Sequence, residues 1–307
     1  MKKVLVTGAD GFIGRYTLPM LVQVGFDVHA LCWHQQPDPI EGVCWHRIDL
    51  MQPQAVDALL TDIQATHLLH LAWYTVHGKF WHASENLGWV EASLGLLAAF
   101  ANHGGKRVVM AGSCAEYDWS AGGLCSEQTT ACNPSTQYGV SKHELNEKAA
   151  AFCTRNQLSF AWGRVFFLYG PGEYSTRFVP SVINGLLNGE KVPCSDGHQL
   201  RDFMHVCDVA SGFVHLLNSD VRGAVNIASG QAYTLKKIGE KLMEQVGGTG
   251  QIDFGALANR PDDPDVLTAD VTRLQNELNW SPSLTLDEGL ADTVDWCQAK
   301  LEAAHVE

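Results

Sequence analysis

The chain has 307 residues, enough to bury a large core in one domain or in a large domain with a smaller one. Its composition is that of an ordinary globular protein, and 34 acidic against 21 basic residues leave a net charge of −13, which argues against nucleic-acid or anionic-membrane binding while leaving room for a phosphorylated substrate. Nine cysteines, with no Cys-x-x-Cys and no Cys/His spacing suited to zinc, read as free thiols of a reducing compartment, so no metal is expected and the expected location is cytoplasmic.

Met1-Lys2-Lys3 before Val4-Leu5-Val6 imitates the opening of a signal peptide, but the apolar run stops at once in a glycine-rich stretch carrying Asp10. No segment is long and apolar enough to span a bilayer. The run instead predicts a strand over 3–7, emptying into Gly8-Ala9-Asp10-Gly11-Phe12-Ile13-Gly14, with a helix over 13–24. Glycines at this spacing between strand and helix suit a dinucleotide. Gly8 permits the tight turn, Gly11 lets backbone N–H groups approach the pyrophosphate, and Gly14 lets the helix pack close to the sheet. The next strand, over 27–32, should end in an acid if it reads a free ribose diol, but it ends in Cys32-Trp33-His34. Both the acidic mark of NAD and the basic mark of NADP are missing there. Arg15 and His34 stand either as partners for a 2′-phosphate or as surface residues. A strand over 43–47 leads to Asp49, which either caps the adenine or closes a surface turn. A helix over 54–63 and a strand over 67–72 follow. That strand should end near the nicotinamide, and His70, Trp73, Tyr74 and His77 cluster after it. Either Tyr74 or Thr75 reads a sugar hydroxyl there, or the aromatics simply pack.

A helix over 86–103 and a strand over 107–111 bring the chain to Ser113. A helix over 136–156 then carries Tyr138 and Lys142, four apart and therefore on one face. A free tyrosine has a pKa of about 10, and a neighbouring ammonium favours its phenolate, so Lys142 is expected to draw Tyr138 toward the working pH of a general acid/base. Ser113 can hydrogen-bond the same substrate oxygen. After a strand over 159–165 and Tyr169-Gly170-Pro171-Gly172, shorter elements take over, with helices over 178–187, 207–217 and 235–246. The expected fold is α/β, a Rossmann-type doubly wound parallel sheet with a smaller C-terminal substrate lobe. The dinucleotide-binding domain is expected over 1–170, with 201–228 returning to it, and the substrate lobe over 171–200 and 229–307.

With these pieces in order, the chain resembles the extended short-chain dehydrogenase/reductase family, in its nucleotide-sugar epimerase/dehydratase/reductase group. The likeness covers nearly the whole chain. It rests on the Gly8–Gly14 loop, His70-Leu71-Ala72, Ser113-Cys114-Ala115-Glu116-Tyr117, Tyr138-x-x-x-Lys142 and Tyr169-Gly170-Pro171. The run from Arg201-Asp202-Phe203 to Val209-Ala210, Arg260-Pro261-Asp262-Asp263 and Leu278-Asn279-Trp280-Ser281-Pro282 complete it. The resemblance implies a catalytic trio of Ser113, Tyr138 and Lys142. It implies an NAD or NADP site at Gly8, Gly11, Phe12, Ile13, Gly14, Asp49, Leu50, Leu71 and Ala72, with Tyr138 and Lys142 meeting the nicotinamide end. Tyr74, Cys114, Arg201 and Arg260 are implied on the substrate side, the two arginines gripping the diphosphate of a nucleotide sugar as charged forks. The alternatives are a structural pair of Arg201 with Asp202 or Asp208, and a solvated loop charge for Arg260.

Departures from the group's pattern narrow the reaction. Its dehydratases follow the residue matching Ser113 with an Asp-Glu pair; here stand Cys114 and Ala115, and Glu116 falls one residue late, against a 4,6-dehydratase. Phe167 stands where the family often has an asparagine after Arg164. The expected function is NAD(P)-dependent reduction of a 4-keto (often 4-keto-6-deoxy) nucleotide-diphosphate sugar at C4, or the reverse. The alternatives are a C4 epimerase that retains NAD, and a non-catalytic dinucleotide-binding sensor or scaffold, which the intact trio opposes. The helices over 86–103 and 136–156, with Leu94, Leu97 and Phe100 on the first, are expected to pair two chains as a homodimer, although some of those three must face the sheet instead.

Overall fold

The computed structural model describes residues 2–34, 36–259 and 263–304. In chain order its first half comprises β1 (Lys3–Thr7), α1 (Gly14–Gln23), β2 (Asp27–Cys32), β3 (Val43–Arg47), α2 (Pro53–Ile63), β4 (His67–His70), α3 (Glu85–Asn102), β5 (Arg107–Ser113), β6 (Gly123–Cys125), α4 (Gln137–Arg155) and β7 (Ser159–Val165). Then come β8 (Phe167–Tyr169), α5 (Phe178–Leu187), β9 (Lys191–Cys194), β10 (Leu200–His205), α6 (Val206–Leu217), β11 (Gly223–Ile227), β12 (Ala232–Thr234), α7 (Leu235–Val246), β13 (Gln251–Phe254), β14 (Val266–Ala269), α8 (Thr272–Asn276) and α9 (Leu286–Ala304).

Seven strands form one sheet in the order β11-β7-β5-β4-β1-β2-β3, every neighbouring pair parallel. Parallel strands need crossovers, and those crossovers cover both faces, which is why the strands read as continuous apolar runs rather than alternating ones. In β1, Val4 and Val6 pack with Leu18 and Leu21 of α1 and with Phe213 of α6. Leu5 packs oppositely, with Leu60 of α2, Leu97 of α3 and Leu145 of α4. The chain begins mid-sheet, builds outward to β3, then crosses back to β4. The strand order therefore reverses between β1 and β4, the switch point at whose C-terminal strand ends such sheets take their ligands.

The later elements build a second body. β10 pairs with β8, β12 and β14, β14 with β6, and β13 with β9. Val182, Ile183, Ile238, Leu242, Leu290 and Val294 give α5, α7 and α9 a common core. The chain returns to the main sheet through β11, which pairs with β7.

One expectation changes. The strand over 107–111 runs on to Ser113, pairing with Val165, so the serine is held by the sheet. Of Leu94, Leu97 and Phe100, it is Leu97 and Phe100 that face the sheet, fully buried, because α3 itself covers that face. Among the described residues no helix is long and apolar enough to cross a membrane.

Candidate active site

The Gly8–Gly14 loop lies at the open end of β1. Gly8 sits at φ +62, and a Cβ there would fall 2.7 Å from the Ala72 nitrogen. A Cβ at Gly14 would collide with the Gly8 carbonyl oxygen. The helix therefore starts hard against the loop, as a diphosphate cradle requires. α1 has no side-chain cap and no acid in its first turn, so its positive end is left to an anion. These residues fit the diphosphate of a dinucleotide. Phe12 lies beneath the Arg15 guanidinium, 5.4 Å from ring centroid to Cζ, and Ile13 is the residue before the helix. Leu71 N–H donates to the Thr7 carbonyl at 3.2 Å and Ala72 N–H to Thr7 Oγ1 at 3.3 Å, so both continue along the β1 edge beyond β4. The adenosine side is plainer. Asp49 Oδ1 accepts from Met51 N–H at 2.9 Å, closing a turn, and Leu50 packs on the α2/α3 side of the sheet. Trp33 is 60% exposed at the end of β2 and stacks on His34, centroids 3.8 Å apart. Arg15, weighed for a 2′-phosphate, instead donates to the Pro171 carbonyl at 2.7 Å, where Tyr16 also donates, tying α1 to the segment after β8.

At the end of β5, Ser113 stands close enough to Tyr138 for its side chain to favour the phenolate. α4 reaches that position because Thr136 caps it, accepting from Gly139 N–H at 3.1 Å. A Cβ at Gly139 would strike the Ala115 carbonyl, so Tyr138 comes this close to Ser113 only beside a glycine. One turn on, Lys142 Nζ donates to the Ala111 carbonyl at 2.9 Å and lies 3.8 Å from the centre of the Trp73 ring. Phe80, Trp81 and Trp73 stand edge-on to Tyr138 with centroids 4.9, 5.7 and 6.5 Å away. The sequence reading noted Trp73 but missed Phe80 and Trp81; their density ahead of a helix was the available signal.

Electrostatics here differ from the expectation. Burial pushes the Tyr138 phenol well above the ordinary tyrosine range, only partly opposed by the nearby Ser113 side chain. Lys142 does not offset this, because burial brings its own pKa down to about 7, opposed by Glu116, and its amine is turned to Ala111 and Trp73. Tyr138 is thus held as the neutral phenol. The lysine also links stability to pH. Below pH 7 it is protonated folded and unfolded, and the cost of burying the charge is present in full. Between about 7 and 10.5 the unfolded chain holds a proton that the folded one lacks, so stability without nucleotide is expected to rise with pH and level off above that window. Lys142→Met should flatten the rise in urea-denaturation midpoints; an unchanged slope would give Lys142 an ordinary pKa.

Glu116 is fully buried and used up. Its carboxylate accepts from Ser113 N–H at 2.7 Å, from Trp162 Nε1 at 2.8 Å and from Arg164 Nε at 3.0 Å. It braces the serine loop from behind.

The remaining candidates are placed as follows. His70 is buried between Thr7 Oγ1 (2.7 Å) and Ser93 Oγ (2.8 Å), held neutral by burial with its pKa down to about 3; it pins β1 and β4 to α3. Tyr74 is half-buried against the core that α3 and α4 share. Cys114 lies in a small core with Tyr117, Cys125 and Phe166, its thiol pushed far up by burial. Arg201 pairs with neither Asp202 nor Asp208. Its Nη2 meets Asp263 Oδ1 at 2.5 Å and Nη1 donates to the Leu200 carbonyl at 2.9 Å. Asp202 and Asp208 are occupied instead by N–H groups of Ser229 and Gly230 and of Ser283 and Leu284. Arg260 lies outside the described residues.

Known proteins resemble this chain. Residues 4–228 match the profile of the NAD dependent epimerase/dehydratase family. UDP-glucose 4-epimerase of Bacillus subtilis is 26% identical over 95% of this chain and 96% of its own length. The dTDP-6-deoxy-L-talose 4-dehydrogenase (NAD(+)) of Aggregatibacter actinomycetemcomitans is 27% identical over 79% of this chain and 90% of its own. Among solved structures, MoeE5 in complex with UDP-glucuronic acid and NAD superposes with a TM-score of 0.83 at 31% identity, covering 97% of this chain and 99% of that one. The glycine cradle, the Ser113–Tyr138–Lys142 trio and a family match across most of the sequence make this chain a member of the NAD-dependent epimerase/dehydratase family, the nucleotide-sugar enzymes of the extended short-chain dehydrogenase/reductase type.

Proposed function

We propose that the protein reduces the 4-keto group of a nucleotide-diphosphate sugar, in particular a 4-keto-6-deoxy sugar, or runs the reverse oxidation. One observation carries this reading: two hydroxyls, Ser113 and Tyr138, meet in a site whose serine loop offers no free carboxylate. Cys114 and Ala115 have none, and Glu116 is consumed by Trp162 and Arg164. That leaves a proton donor and an oxygen-orienting group, which suffice for hydride transfer at a carbinol and not for eliminating water. When bound, the nicotinamide cofactor would give a hydride to C4 in its reduced form or take one in its oxidised form. Ser113 Oγ holds O4 in line. Tyr138 donates its phenolic proton as O4 gains negative charge, and burial keeps that proton in place until then. Lys142, a turn below, would hold the nicotinamide ribose. The wall of Phe80, Trp81 and Trp73 suits an apolar C6 methyl, in keeping with the relative that acts on a 6-deoxy sugar.

A second reading, C4 epimerisation with retained NAD, draws on the UDP-glucose 4-epimerase relative. The β2 end opposes it, because Cys32 and Trp33 offer no acid to clamp the ribose, which suits an exchanging cofactor. Purified protein given a 4-keto-6-deoxy nucleotide sugar and reduced cofactor should consume one NADH or NADPH per sugar. Interconversion of C4 epimers without net loss of nicotinamide absorbance would make it an epimerase.

The body built on α5, α7 and α9 is proposed to hold the nucleotide sugar, with Arg201 on its diphosphate. Arg201→Ala should weaken nucleotide-sugar binding by roughly 1.5–3 kcal/mol, the range for hydrogen bonds to charged groups, and leave cofactor affinity unchanged. Equal weakening of both by calorimetry would make Arg201 a structural partner of Asp263. A homodimer is proposed through the outer faces of α3 and α4, where Leu87 and Val140 stand 53% and 42% exposed; light scattering that gives monomer mass at micromolar concentration would remove it.

A further inference from the structure

At the β3 edge of the large sheet, three side chains with metal-binding atoms converge. β2 and β3 run parallel, with His29 opposite Cys44 and Leu31 opposite His46. Alternation puts Cys44 and His46 on one face of β3, and His29 joins them from β2. One ring nitrogen from each histidine and Cys44 Sγ all lie within 4.8 Å of one another. His29 Nδ1 and His46 Nε2 are 2.8 Å apart, with the rings stacked at 20°. Burial lowers the pKa of both histidines, which keeps them in the neutral form a metal takes. Cys44 is exposed, so the cluster opens to solvent.

A second observation points the same way. The far nitrogen of His29, Nε2, is buried without a hydrogen-bond partner and lies 3.7 Å from Asp27 Oδ1. Metal-bound histidines commonly donate their second N–H to a carboxylate, which fixes the ring and its tautomer. Asp27 stands where that carboxylate belongs.

We propose that His29 Nδ1, His46 Nε2 and Cys44 Sγ form a site for a divalent metal of the zinc class, with solvent as fourth ligand and Asp27 as acceptor for His29 Nε2–H. Two imidazoles and a thiolate suit zinc or cobalt and not the hard, oxygen-seeking magnesium or calcium. The proton balance is explicit. The hydrogen shared between the two rings moves to the far nitrogen of its own ring, so both imidazoles stay neutral. The Cys44 thiol gives its proton to water, and one proton leaves for each cation bound. No sequence spacing announces the site, because the parallel pairing of β2 with β3, not a short loop, brings His29 to Cys44-x-His46.

The test uses the untagged, reduced, chelator-stripped full chain. Titration with Co²⁺ should load one ion per chain, give the thiolate-to-cobalt charge-transfer band, release one proton, and be reversed by Zn²⁺. Saturating Zn²⁺ should protect Cys44 from iodoacetamide in peptide mapping. Cys44→Ser should lose the band, and Asp27→Asn should weaken Co²⁺ binding about tenfold or more, the usual cost of losing such a partner. Cobalt uptake without the band, a band that survives Cys44→Ser, or Cys44 alkylated equally with and without Zn²⁺ overturns the proposal. The alkylation arm is read on the unaltered protein, so it holds even where a variant fails to fold.

Discussion

Tyr138→Phe is expected to lower turnover by a factor on the order of 10² or more while leaving cofactor affinity nearly unchanged. The substitution removes one hydroxyl and keeps the ring. Phe80, Trp81 and Trp73 would still pack on it, and the glycine cradle, fixed by Gly8 and Gly14 after β1, would not sense the change. What disappears is the proposed proton donor beside Ser113. Single-turnover rates and cofactor titrations on the purified variant check the split. Near-normal turnover would take Tyr138 out of the mechanism and return the proton to solvent.

Glu116→Gln is expected to destabilise the fold by about 3–5 kcal/mol, the cost of leaving a buried charge without its partner. Arg164 is buried near the C-terminal end of β7, and its Nε is held by the Glu116 carboxylate. Its Nη1 donates to Tyr117 Oη, which in turn donates to Asn226 Oδ1 of β11. Neutralising Glu116 strands the guanidinium and loosens the link from the serine loop through β7 to β11. Urea denaturation measures the loss. A carboxylate acting as dehydratase acid or base would behave oppositely, with turnover abolished and stability kept. That second outcome would reinstate the elimination chemistry that the positions of Cys114 and Ala115 argue against.

Much of this enzyme is determined locally. The apolar runs of β1, β5 and β7 and the glycine spacing after β1 prescribe a parallel sheet with a dinucleotide at its switch point, because period and glycine placement are properties of short stretches. The spacing of Tyr138 and Lys142 likewise places them on one helical face. Tertiary structure decided what those residues meet. Lys142 faces Ala111 and Trp73 rather than lowering Tyr138, because closing the core desolvates both groups, and no four-residue spacing encodes burial. Arg201 chose Asp263 over its sequence neighbours because β10 and β14 run side by side. Leu97 and Phe100 turned inward because α3 is the cover for that sheet face, which the helical period alone leaves open between sheet and partner. Glu116, Trp162 and Arg164 became one brace, and His29, Cys44 and His46 one cluster, only through strand pairing between distant segments. Charge pairing and desolvation depend on distances in space, and the sequence records distances along the chain.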